Sequence, residues 1–250
     1  MIEIQNIRYA IGDSLILDQV DAVIPKGEVT AIIGPNGAGK STLLSLASRL
    51  IKPDAGAIRV DGHDVHHAST AEMAKLLSVL RQENHIASRL RVRDLVSFGR
   101  FPHNRGQTRP EDSEKIDEAL DMMEMRPFEN RYLDELSGGQ RQRALVAMIL
   151  SQDTDYILLD EPLNNLDLVH ARNLMVILEK LKNVGKTPIL VIHDINYAAK
   201  YATHILALKN GTTFANGPTL EIFQSETLSN LFDSHISIQT LDGQLIALHH

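Results

Sequence analysis

Residues 34–42 read Gly34-Pro35-Asn36-Gly37-Ala38-Gly39-Lys40-Ser41-Thr42, and no other stretch limits the fold as much. They fit G-x-x-x-x-G-K-[ST], a loop that wraps the phosphates of a nucleoside triphosphate. The glycines let backbone N–H groups turn inward as an anion nest, which a Cβ would obstruct. Lys40 adds a compact positive charge for the β and γ phosphates, and Ser41 a hydroxyl suited to Mg²⁺. In such a loop the following helix points its positive end at the phosphates. Both flanks agree. Glu28-Val29-Thr30-Ala31-Ile32-Ile33 predicts a buried strand, and residues 41–50 predict an apolar-striped helix. A plain glycine-rich turn before a helix is the alternative, and the flanks argue against it.

Composition narrows the classes. With 250 residues the chain holds one large domain, or a domain with a sub-domain. It has no cysteine, which excludes disulfides, thiolate metal sites and Cys nucleophiles and suits a reducing compartment. A net charge of −7 argues against nucleic acid as the main ligand. No apolar run reaches about 18 residues, so no bilayer-spanning segment is expected. Met1-Ile2-Glu3-Ile4 lacks the start of a signal peptide. The expectation is a cytoplasmic protein that reaches a membrane only by docking on a partner.

Residues 1–24 predict short strands, with Ile2 and Ile4 alternating with polar residues. Tyr9 is placed in the turn between them, either as a half-buried strand aromatic or as a stacking platform for adenine. Ala57 to Val60 predicts a strand, residues 70–77 a helix, and residues 78–81 a strand that Gln82 closes. His63, His66 and His67 follow a turn without a carboxylate or cysteine framework, so a metal site is not expected there. From Glu83 to about Asp155 charged helical segments replace β runs, which reads as a helical insertion in an α/β core. Within it, residues 99–106 predict a loop and residues 110–125 a helix, with Met122, Met123 and Met125 packing a core.

Near the end of this insertion comes Leu136-Ser137-Gly138-Gly139-Gln140. Ser137 is a natural N-cap, and the glycines leave the first backbone N–H groups of the helix uncovered. This is a second anion-seeking helix start. Tyr156-Ile157-Leu158-Leu159 then predicts a buried strand ending in Asp160-Glu161-Pro162. Two carboxylates at the carboxyl end of such a strand fit a ligand crevice, one to hold Mg²⁺ and one to orient or deprotonate water. Leu163-Asn164-Asn165-Leu166-Asp167 turns into a helix running to about residue 184. The strand 189–192 ends in His193-Asp194, so His193 occupies on its strand the place Asp160 has on its own. Asn210-Gly211 and Asp242-Gly243 predict hairpins, and residues 220–232 a helix.

With these motifs in this order, the chain resembles the ATP-binding-cassette (ABC) ATPases over almost its whole length. The resemblance implies an α/β P-loop NTPase with a RecA-like parallel-sheet core, an antiparallel β subdomain and an inserted helical subdomain. The division it implies is 1–83 with 155–217 for the core, 84–154 for the helical part, and 218–250 for a C-terminal helix and hairpin. It implies that Gly34 to Thr42 bind ATP and that Tyr9 stacks on adenine. Gln82 would sense Mg²⁺ and the γ-phosphate, and Asp160 would associate with Mg²⁺. Glu161 would be the catalytic glutamate, His193 the switch histidine, and Asp167 would close the D-loop. Leu136 to Gln140 is the family signature, which caps the ATP of a second chain in a head-to-tail dimer. Arg81 stands where proline is frequent, and Leu163-Asn164-Asn165 where a Thr-led tripeptide is more usual.

A narrower likeness lies in residues 92–103, 162–167 and 193–198, which look like importers of ferric siderophores, vitamin B12 and haem, and most like the siderophore branch. It implies an ATPase that powers uptake of an iron complex, with haem, B12 or a metal ion as other cargoes. It further implies polytopic permease partners, docked by a short helix near Gln82 to Ser97, and indirectly a periplasmic or lipid-anchored binding protein. A soluble non-transport ABC ATPase is the reading from another class.

Overall fold

A computed structural model describes residues 1–82, 89–107 and 109–249. The expected change of texture at Glu83, and part of the expected docking groove, fall on 83–88 and lie outside the described residues. The chain divides into two compact units, Met1–Ala68 with Leu181–His250, and Ser69–Lys180.

The first stretch opens with β1 (Ile2–Ile11) and β2 (Ser14–Ile24), followed by β3 (Thr30–Ile33), α1 (Lys40–Ala47), β4 (Ala55–Val60) and β5 (His63–Asp64). β2-β1-β4-β5 form an antiparallel sheet. The register shifts between Ile4 and Ile7, where Asn6 has φ 48°. That irregularity resets the side-chain parity, so Ile2, Ile4 and Ile7 are all buried. Tyr9 lies inside β1, opposite Leu17, and not in the turn, which falls at Gly12 and Asp13. α1 ends at Ala47, before the expected residue 50, because Arg49 turns left-handed at φ 64°. Asp64 accepts the N–H groups of His66 and His67 and stands 3.0 Å from His67 Nδ1. A carboxylate does accompany these histidines, contrary to the sequence reading, and it shapes their turn.

The second unit holds α2 (Thr70–Leu76), β6 (Leu77–Leu80), α3 (Val92–Phe98), α4 (Phe101–Asn104), α5 (Pro110–Met122), α6 (Gly138–Ser151), β7 (Tyr156–Asp160) and most of α7 (Leu168–Asn183). β6 and β7 pair in parallel from Leu77 opposite Tyr156 to Leu80 opposite Leu159. α3 passes very close to α6, for a Cβ on Gly99 would lie 2.1 Å from the Met148 carbonyl oxygen. The expected loop at 99–106 contains the single turn α4. Buried Arg100 and Asn104 fix that turn by binding Asp112 on α5. α5 stops at Met122, which is exposed, whereas Met123 and Met125 are buried as expected.

The chain then returns to the first unit with β8 (Thr187–Val191), α8 (Ile195–Tyr201), β9 (His204–Lys209), β10 (Thr212–Pro218), α9 (Thr219–Ile222), α10 (Ser225–Phe232), β11 (Ile236–Leu241) and β12 (Gln244–His249). β3 lies between β8 and β9, parallel to both, and β10 runs antiparallel to β9. Every residue of β3 and β8 is buried, Thr30 and Thr187 included, as is usual for strands of a parallel sheet. Both expected hairpins form, with positive φ at Asn210, Gly211, Asp242 and Gly243. The helix expected over 220–232 is two helices, broken where Phe223 drops into the core and Gln224 is extended. Among the described residues, no helix is long and apolar enough to cross a membrane.

Candidate nucleotide site

In the first unit, Gly34, Gly37 and Gly39 have φ of 145°, 78° and 93°, a region that side chains disfavour. Packing adds a second reason at two of them. A Cβ on Gly34 would lie 2.1 Å from the Leu208 carbonyl oxygen, and one on Gly39 2.4 Å from Leu17 Cδ2. The loop is therefore wedged between β9 and β2. Lys40 is 6% exposed. Its Nζ donates to the carbonyls of Gly34 at 2.8 Å and Pro35 at 2.9 Å, so the ammonium sits inside the curl. Ala38 N–H closes the curl on the Pro35 carbonyl. Asn36 and Gly37 form the exposed tip, and Ser41 and Thr42 are half-buried in the first turn of α1. Gly39 caps that helix without any side-chain cap, which suits an anion at its N-terminus.

Tyr9 is half-buried in β1, and its strand partner Leu17 is the residue that packs on Gly39. His193 is exposed where the chain leaves β8, and Asp194 behind it caps α8 by accepting the N–H of Asn196 at 2.9 Å.

In the second unit, Asp160 ends β7 and is 6% exposed. Glu161 follows in the left-handed region at φ 50°, uncommon for a non-glycine residue. Its Oε2 accepts from Gln82 Nε2 at 2.7 Å and from Asn164 Nδ2 at 2.6 Å. Two expected site residues, Gln82 and Glu161, thus meet directly, and Asn164 is a third member that the sequence reading missed. Its signal was only a spacing of three across a proline turn. Ser137 caps α6 as expected. Its hydroxyl accepts from Gln140 N–H at 3.3 Å, and the Gln140 side chain accepts from Ser137 N–H at 3.0 Å. Leu136 is half-buried and Gly138 exposed. A Cβ on Gly139 would lie 3.0 Å from the Asn165 carbonyl oxygen, and Gln142 Nε2 donates to the Pro162 carbonyl at 3.1 Å. The signature run is therefore seated on the turn that follows Glu161. Asp167 accepts the His170 N–H at 2.8 Å, which with the His170 ring holds its carboxyl below the usual range.

The family described as ABC transporter matches residues 17–164. The chain is 48% identical over 250 residues to the petrobactin import ATP-binding protein YclP of Bacillus subtilis, covering 100% of this chain and 99% of that one. The chain belongs to the ABC transporter family. A second relative of this ABC family is the iron(3+)-hydroxamate import ATP-binding protein FhuC of Bacillus subtilis, 41% identical over 92% of this chain and 86% of its own. The dimeric post-hydrolysis structure of the ATP-binding cassette MJ0796, bound to ADP and Pi, superposes with a TM-score of 0.78. It is 31% identical and covers 88% of this chain and 99% of its own. The fold is that of an ABC ATPase, and the chain is an ATP-using member of the family.

Proposed function

We propose that this ABC ATPase drives a bacterial importer of a ferric siderophore. The observation that carries the reading is the end-to-end 48% identity with a petrobactin import ATP-binding protein. The iron(3+)-hydroxamate relative supports iron complexes as the cargo class. Petrobactin is the first complex to test. The partners are then permease subunits in the membrane, fed by a substrate-binding protein, and the ATPase works on the cytoplasmic face. The division into 1–83 with 155–217, 84–154, and 218–250 belongs to the same proposal.

The adenine stacks on Tyr9, and the curl from Gly34 to Thr42 grips the phosphates with its N–H groups and Lys40. Ser41, Gln82 and Asp160 offer hydroxyl, amide and carboxylate oxygens, the hard donors that Mg²⁺ takes. These residues would hold the ion, Asp160 through water, and it would neutralise phosphate charge. Glu161 takes a proton from the attacking water as its oxygen bonds to the γ-phosphorus and the bond to ADP breaks. Gln82 and Asn164 keep that carboxylate aimed. His193 holds the γ-phosphate and the water. Ser137 and Gly139 of a second copy cap the γ-phosphate in a head-to-tail homodimer, which the dimeric MJ0796 relative supports. Positioning and charge neutralisation supply the rate, with little covalent help.

Glu161→Gln tests the chemistry. ATP binding stays at the wild-type level and hydrolysis falls at least about a hundredfold, the scale of a lost general base, leaving an ATP-bound dimer. Near-normal turnover removes Glu161 as the base.

A further inference from the structure

His193 has support from an unexpected quarter. β8 ends at Val191, and the chain turns at His193 and Asp194 into α8. The second residue of that helix reaches the C-terminal hairpin. Asn196 Oδ1 accepts from Ala247 N–H at 2.8 Å, and Asn196 Nδ2 donates to the Ala247 carbonyl at 3.3 Å. These are the two bonds that a neighbouring strand would make to Ala247. β11 and β12 form a two-stranded sheet, and one side-chain amide fastens the outer edge of β12 to α8.

The surroundings make this fastening matter. His193, Asp194, Ile195 and Asn196 line a cavity of about 570 Å³ with Phe232, Ser234 and Ile236. Close packing normally fixes a side chain, and atoms facing a void lose those contacts. On its cavity side the His193 turn has two hydrogen-bonded supports beside the packing of Ile195. One of these is the Asp194 cap, which stays within the turn. The Asn196 pair ties the turn to a separate element.

We infer that Asn196 is a positioning residue for His193, and that the C-terminal hairpin is the support it works against. The inference rests on the role proposed above for His193. The hairpin thereby becomes part of the hydrolytic apparatus through a contact three residues from the histidine.

The test compares His193→Ala, Asn196→Ala, Ala247→Pro and the double variant His193→Ala/Asn196→Ala in the full chain. It reads kcat and KM for ATP together with Tm. Ala247→Pro removes the hairpin's N–H while leaving Asn196 in place, and proline is tolerated where a strand's N–H faces outward. The expected result is a fall in kcat of about tenfold in both Asn196→Ala and Ala247→Pro with KM for ATP unchanged, since misplacement of a positioned group costs up to about a hundredfold. The double variant is expected to be no slower than His193→Ala, because both lesions act through one residue. Wild-type kcat in a folded Asn196→Ala overturns the inference, and so do losses that multiply in the double variant. A lower Tm with kcat intact reduces the contact to a structural one. If His193→Ala itself keeps full kcat, the histidine's proposed role fails and this inference falls with it. If His193→Ala loses activity while Asn196→Ala keeps the wild-type kcat, the inference alone fails.

Discussion

Glu161 shows how much of the candidate site hangs on single backbone angles. Its φ of 50° costs about 1 kcal/mol or more for a side-chain-bearing residue, and the two amides on Oε2 hold the carboxylate in the resulting direction. Removing Asn164 frees the carboxylate to swing, and a displacement of about 1 Å can cost up to about a hundredfold. Asn164→Ala therefore lowers kcat roughly tenfold with KM for ATP unchanged, which steady-state ATPase assays at saturating and limiting ATP would check. The sequence marked Glu161 clearly, because two carboxylates ending an apolar strand is a strong pattern. It could not mark Asn164, because the Asn164 contact depends on a left-handed Glu161 that no propensity favours. Tyr9 shows the reverse limit, where the residue was picked out but its place in the strand was not.

At the scale of elements, the cluster of Arg100, Asn104 and Asp112 ties α4 to α5. Asp112 is 2% exposed. Burial works against its charge, but the Asn104 amide, the Arg109 N–H and the Arg100 guanidinium together bring its carboxyl down from 3.8 to about 2. The folded value is lower than the unfolded one, so the contribution is complete above about 4 and is lost as pH falls towards 2. It amounts to about 2 kcal/mol. Urea midpoints measured from pH 5 down to pH 2 fall more steeply for the wild type than for Asp112→Asn. At pH 7 that variant is itself less stable by about 2 kcal/mol or more, because the buried Arg100 guanidinium loses its carboxylate and keeps the Ser151 carbonyl. The sequence showed none of this. Residues 99–106 carry two glycines and a proline, which read as a loop, and the partner carboxylate lies six residues beyond. The strands β3 and β8 were readable because each carries a continuous apolar run, Ala31-Ile32-Ile33 and Ile189-Leu190-Val191. The break between α9 and α10 was not, because Phe223-Gln224 contains no helix-breaking residue and only the burial of Phe223 forces the turn.

At the scale of the whole molecule, the motifs were legible in order while their immediate company was not. The phosphate loop, Tyr9 and His193 fall in the first unit, and Gln82, the signature run, Asp160, Glu161 and Asp167 in the second. The proposed dimer makes Ser137 a residue that acts on another copy. Ser137→Arg in a Glu161→Gln background therefore binds ATP yet stays monomeric, while Glu161→Gln alone dimerises with ATP, as light scattering after gel filtration would read. The same change removes an N-cap worth about 1 kcal/mol, small enough for the fold to persist. That monomeric variant also isolates a property of the phosphate loop. With Lys40 already bonded to Gly34 and Pro35, and Gly34 and Gly39 wedged between β9 and β2, the curl has its shape before any ligand arrives. Nucleotide capture then orders almost no chain and, apart from the adenine on Tyr9, buries little apolar surface. In a calorimeter, ATP binding to the monomer gives a heat that barely changes with temperature, whereas ATP-driven dimerisation of Glu161→Gln carries a large negative heat-capacity change.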